Sequence, residues 1–105
     1  MLGILWDRRV KKLRQIDEFI WRKHALERML ERGIGRAEVI EAVQNGEVVE
    51  EYPNDFPYAS CLIYNLANEP LHIVAALDGQ RCFVITVYRP SLEEFESDYK
   101  TRKNR

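Results

Sequence analysis

At Glu47 the chain changes period, and that switch limits the folds open to it. Before Glu47, apolar residues recur at helical spacing; after it, they alternate or run in short β-branched blocks. Helices grouped first and strands after predict an α+β domain, with the helices packed on an antiparallel sheet. At 105 residues the chain makes one domain with a modest core.

The helical half divides at Gly33-Ile34-Gly35. A first helix is predicted from Ile16 or Asp17 to about Arg32, with Asp17 as N-cap and Gly33 as C-terminal cap. Phe19, Ala25, Leu26, Met29 and Leu30 fill its core-facing side. A second helix, about Arg36 to Asn45, buries Val39, Ile40 and Val43, and Ile34 plugs the corner between the two. The strand half begins with a short strand at Val48 and Val49 and a loop from Pro53 to Pro57. Tyr58 to Ala67, Leu71 to Leu77 and Arg81 to Tyr88 follow, joined by Asn68-Glu69-Pro70 and Asp78-Gly79, a meander of tight turns. Pro90 stops the last strand. Ser91, with Glu94 at the capping-box position, then opens a C-terminal helix to about Arg102 that carries Leu92, Phe95 and Tyr99 on one face. The predicted layout is two N-terminal helices, an antiparallel sheet of about four strands, and a C-terminal helix. Residues 1–15 show no clear period and are a basic N-terminal arm or an extra element; residues 16–105 are the domain.

Composition narrows the class. A hydrophobic fraction of 46% with 31% charged residues is that of a soluble globular protein. No apolar run approaches the about 20 residues of a membrane span. The first apolar residues precede the basic ones, the wrong order for a secretory signal, so the expected setting is the cytoplasm, away from membranes. Cys61 and Cys82 lack C-x-x-C spacing and read as reduced, partly buried thiols, and no Cys or His pair has zinc-ligand spacing. The net charge of −1 counts against non-specific nucleic-acid binding. The charge is segregated, however: Arg8, Arg9, Lys11, Lys12 and Arg14 cluster at one end and Lys100, Arg102, Lys103 and Arg105 at the other, as a solvated face or an RNA-facing surface.

No Walker loop, G-x-G-x-x-G, H-E-x-x-H or nucleophile elbow is present, and no metal or cofactor is expected. Three groups of polar residues remain. His24, Arg28 and Arg32 fall within about 80° of one another on the first helix, a cationic stripe suited to a phosphate. Glu27, Glu31 and Glu38 stand near enough to neutralise it by local pairing. His72 shares strand parity with Val74, Ala76 and Asp78, which points it to the core or the helices. Tyr88 and Arg89 close the last strand, a usual place for functional side chains.

Together these residues resemble a bacterial family of unknown function with the motif H-A-x-x-R-M-x-x-R-x-I, here His24-Ala25, Arg28-Met29, Arg32 and Ile34. Gly46-Glu47-Val48, Tyr52-Pro53, Ser60-Cys61-Leu62, Leu71-His72-Ile73-Val74 and Ile85 to Pro90 extend the likeness over about residues 17 to 92. That family is similar in layout to RelE/ParE and BrnT type toxins. The resemblance implies the toxin of a type II toxin–antitoxin pair, a metal-independent mRNA endonuclease acting with the ribosome, or a fold relative that lost the activity. It also implies a small antitoxin partner, of zinc-ribbon type. Such cleavage needs a base for the 2′-hydroxyl, cations for the phosphorane and an acid for the 5′-oxygen. His24 or His72 would be base or acid, Arg28, Arg32 and Arg89 would clamp phosphate, and Tyr88 would orient or stack a nucleobase. The competing expectation is a non-catalytic protein-binding domain, with the charged patches as complementary interface features; a homodimer joined through a sheet edge is a third.

Overall fold

In a computed structural model, residues 13–104 are described. The elements in order are β1 (Glu18–Trp21), α1 (Lys23–Arg32), α2 (Arg36–Asn45), β2 (Glu47–Tyr52), β3 (Ser60–Leu66), β4 (Pro70–Asp78) and β5 (Arg81–Tyr88). They form one five-stranded sheet of order β1-β5-β4-β3-β2. β2 to β5 pair antiparallel, and β1 adds to β5 in parallel, Phe19 opposite Cys82 and Trp21 opposite Val84.

Two predicted elements are corrected. Where the first helix was expected to begin, Glu18-Phe19-Ile20-Trp21 is a strand. Its aromatic and β-branched residues favour extended chain, and β5 offers an open edge beside it. The sheet is therefore mixed and not purely antiparallel, and helix begins only at Lys23. The C-terminal helix is absent as well. Ser91 starts a single turn, accepting from the amides of Glu94 and Phe95, and the chain then leaves the helical path. Asp98 takes the amides of Lys100 and Thr101 and the Thr101 hydroxyl, an Asx turn that competes with helix, and Tyr99 adopts a φ of 59°. Glu96 donates to the Thr101 carbonyl and Lys103 to that of Glu94, so Glu94 to Lys103 doubles back as a closed loop.

The helical hairpin follows the sequence more closely. Gly33 takes the left-handed conformation, φ 67°, and the Ile34 amide reaches back to the Met29 carbonyl, closing α1 as a capped end. Ile34 fills the corner. Ala25 and Met29 of α1 and Val39, Ala42 and Val43 of α2 pack on Cys61, Ile63, Ile73, Ala75, Cys82, Val84 and Val87 of the sheet. Leu13 and Ile16 are buried in the same core. The N-terminal basic run at Arg8 to Lys12 lies outside the described residues. Among the described residues, no helix is long and apolar enough to cross a membrane.

Gly46 carries the chain from α2 into β2 against the sheet. A Cβ there would collide with the Ala42 carbonyl and stand 2.8 Å from both the Tyr64 carbonyl and the Ile63 Cγ2. Two of those atoms are backbone on opposite elements and cannot step aside. Gly46→Ala is expected to cost about 1–3 kcal/mol in denaturant unfolding, as overpacking does.

Candidate functional site

Two bulges place the polar residues. In β2 against β3, Val48 pairs with Ile63 but Glu50 with Leu62, leaving Val49 as an extra residue. Val48 is thereby turned into the helix-side core and Glu50 to the opposite face, although alternation would put both on one side. In β5 against β4, Thr86 pairs with Val74 and Val84 with Ala75, so Ile85 is extra. Cys82 and Val84 then face the helices, while Thr86 and Tyr88 face away. The far face of the sheet so collects Glu50 and Tyr52 from β2, Tyr64 from β3, His72 from β4 and Tyr88 from β5. The loop after β5 lies over it with Phe95, wholly buried, against the His72 ring.

His72 is fully buried, and both ring nitrogens are engaged. Nε2 lies 2.7 Å from the Tyr99 carbonyl and Nδ1 lies 3.1 Å from the Tyr88 hydroxyl. A carbonyl only accepts, so Nε2 carries the ring hydrogen, and in the neutral ring Nδ1 accepts from Tyr88. Tyr64, Tyr88 and Phe95 meet the imidazole edge to face, at centroid distances of 5.8, 5.2 and 4.7 Å. Burial lowers the His72 pKa from its ordinary 6.5, opposed in part by the bond to Tyr99, and the ring is neutral at pH 7. Burial likewise raises the Tyr88 hydroxyl.

An ion pair borders this ring. Arg102 donates to the Glu50 carboxylate at 2.7 and 3.2 Å and stacks 4.8 Å from the Phe95 centroid. The Tyr52 hydroxyl adds a bond to Glu50 at 2.5 Å. Burial alone would raise the Glu50 carboxyl, but the bonds from Arg102 and Tyr52 outweigh it and hold the group below its usual value. Tyr52 is pushed up to about 12 by burial and by its bond to Glu50. Lys100 repeats the pattern beside it, 2.9 Å from Glu47 and above the Tyr64 ring. The arrangement therefore holds a neutral imidazole, a phenol, a carboxylate and a guanidinium in one cluster, closed over by residues 91–103.

Of the residues singled out by sequence, His72 and Tyr88 come together here. His24, Arg28 and Arg32 lie on α1, across the sheet from His72. His24 is exposed, and Glu31 lies 2.8 Å from Arg28 and 3.7 Å from Arg32, the local pairing that the helix spacing allows. Arg89 turns away from Tyr88 and bonds to Glu38 at 2.9 Å and to the Pro70 carbonyl at 3.4 Å. It borders a groove of about 440 Å³ that Glu38, Glu41 and Glu69 make acidic. Glu50, Tyr52 and Tyr64 were given no site role by the sequence, and Arg102 only a place in the basic C-terminal cluster. Glu50 was hidden by the bulge at Val49, and Arg102 stood in a basic run with no sign of its partner. Cys61 and Cys82 are buried thiols, and burial pushes Cys82 up to about 12.

The family model of a domain of unknown function, DUF4258, matches residues 21–89. This chain belongs to the DUF4258 family. The matched stretch runs from the end of β1 to the end of β5, so His72, Tyr88 and Glu50 lie within it and Phe95, Tyr99 and Arg102 beyond it. Neither a curated protein nor a solved structure matches this DUF4258 chain.

The lowered His72 pKa has a thermodynamic consequence. Unfolded, the ring titrates near 6.5; folded, it titrates lower, so between the two values the unfolded chain binds more protons. The stabilisation is complete above pH 6.5 and is lost as pH falls through the folded value. Thermal unfolding midpoints should drop as pH falls below about 6.5 toward the folded value. His72→Gln, which keeps an amide donor but does not titrate, is expected to flatten that dependence.

Proposed function

We propose that this chain is the toxin of a bacterial toxin–antitoxin pair, a metal-independent mRNA endonuclease acting with the ribosome in the cytoplasm. Its partner in this reading is a small antitoxin of zinc-ribbon type. The observation that supports it is the convergence of His72, Tyr88, Glu50 and Arg102 on one sheet face. These groups meet the needs of 2′-hydroxyl attack better than the α1 stripe does, because they bring an imidazole, a phenol and a guanidinium together, whereas Glu31 occupies the α1 arginines. The base takes the 2′-hydroxyl proton as the new 2′-oxygen–phosphorus bond forms, and the bond to the 5′-oxygen breaks as the Tyr88 hydroxyl gives that leaving oxygen a proton. A neutral His72 can accept that proton at Nδ1 once the Tyr88 hydroxyl turns from the ring, and the Arg102 guanidinium offsets charge on the phosphorane. Substrate access requires residues 95–99 to move from the His72 ring while the Arg102–Glu50 pair holds, as when the ribosome-bound message docks.

One observation favours a second reading. His72 is wholly buried with both nitrogens paired, the state of a structural histidine. The exposed face of α1, with His24, Arg28, Arg32 and the 85% exposed Leu30, would then serve a protein partner. Self-association through β2 is disfavoured, because antiparallel pairing would bring Glu47, Glu50 and Glu51 of two copies together.

The two readings separate in a purified translating-ribosome mixture with wild type, His72→Gln and His24→Ala. The endonuclease reading expects message cleavage by wild type and His24→Ala, and a loss of at least about 100-fold in folded His72→Gln. Cleavage by His72→Gln at the wild-type rate removes the site. No cleavage by folded wild type, with or without ribosomes, leaves the protein-binding domain.

A further inference from the structure

The same sheet face has a second polar-aromatic feature at its other end. Phe83 of β5 pairs with Ala76, which shares the face of His72 and Val74. Tyr58, arriving from the loop before β3, stacks on Phe83 with centroids 5.5 Å apart and planes 15° from parallel. The guanidiniums of Arg22 and Arg81 each sit 5.6 Å from the Phe83 centroid. Arg22 is exposed at the junction of β1 and α1, its amide bonded to the Val84 carbonyl, and among the described residues it has no ion pair. Arg81 bonds to Asp78 at 2.6 Å and keeps 44% of its side chain exposed. Tyr58 is 43% exposed, and Phe56 beside it is 94% exposed.

An exposed tyrosine stacked on a half-buried phenylalanine and flanked by two guanidiniums fits an unpaired nucleobase and its phosphate. Bases stack on aromatic rings whatever their sequence, and arginine supplies both phosphate contact and cation–π attraction. An acidic peptide would use the arginines but leave the rings without a partner, and a duplex hides its base faces. Ala76 lies four residues from His72 along β4, about 13 Å, a span that a single strand crosses in a few nucleotides.

We propose that Tyr58, Phe83, Arg22 and Arg81 form a subsite for single-stranded RNA, holding one unpaired base and an adjacent phosphate on the strand that leads to His72. The direction toward His72 rests on the endonuclease reading; the binding itself does not. Glu18 and Asp78 border the arginines, so affinity here comes from stacking as well as charge.

The test is fluorescence anisotropy of the full chain with a labelled 2′-O-methyl RNA oligonucleotide, which binds but cannot be cleaved by 2′-hydroxyl attack. Arg22→Ala and Tyr58→Leu are each expected to weaken binding roughly tenfold. Arg28→Ala, on the opposite side of the sheet, should stay within about twofold. Arg22→Ala should also flatten the salt dependence, whereas Tyr58→Leu should leave that slope intact. Wild-type affinity in both platform variants, or a duplex bound as tightly as the single strand, overturns the subsite. So does a wild type that does not bind at all. Binding lost in the platform variants of a chain that cleaves nothing keeps the subsite and removes only the endonuclease reading.

Discussion

The burial of His72 is the constraint on which the far side of this sheet depends. An imidazole removed from water must have both nitrogens satisfied, and an orphaned one would cost about 1–3 kcal/mol. Tyr88 supplies one partner from the neighbouring strand, and the Tyr99 carbonyl supplies the other from a segment with no regular structure. The ring therefore ties the last strand and the C-terminal loop to one point. Phe95 closes the space above it, and the Arg102–Glu50 and Lys100–Glu47 pairs fasten the loop to β2. Exposed ion pairs alone are weak fasteners; beside a buried aromatic cluster they chiefly set where the loop lies.

Delivery of these groups to one place rests on two single-residue insertions. Strict alternation would leave Glu50 beside Val48 in the core, an unpaired carboxylate among aliphatic side chains, and would direct Tyr88 to the helices with Cys82 and Val84. The extra residues Val49 and Ile85 reverse the facing partway along each strand. Each strand thus contributes apolar residues to the helix side and a polar group to the other. This division of labour separates core from candidate site within one sheet.

That mechanism also explains what could be read in advance. The helical hairpin was legible because Gly33, Ile34 and the aliphatic residues of α1 and α2 agree locally with the fold. The meander was legible from its turns; His72 and Tyr88 stood in separate groups that the structure brings into contact, and His72 is buried as expected, though beneath the C-terminal loop and not against the helices. Bulges leave no mark in a single sequence, so the far face was invisible and Glu50 stood only as one of an acidic group with no site role. β1 has four residues, too few for alternation to show, and its identity comes from the edge of β5 some sixty residues later. At the C-terminus, Leu92, Phe95 and Tyr99 keep helical spacing, but Asp98 and the pull of the His72 pocket on Phe95 decide the conformation. The α1 stripe was read for an anion, and Glu31 already fills that role.

Nitrogen-15 NMR of the His72 ring, followed through a pH titration, addresses the central claim most directly. The account predicts a neutral ring at pH 7, with the hydrogen on Nε2 and Nδ1 bare, and an apparent pKa below 6.5. A hydrogen on Nδ1, or a pKa at or above 6.5, would contradict it, because Tyr99 and Tyr88 could then not be the partners that hold the C-terminal loop in place.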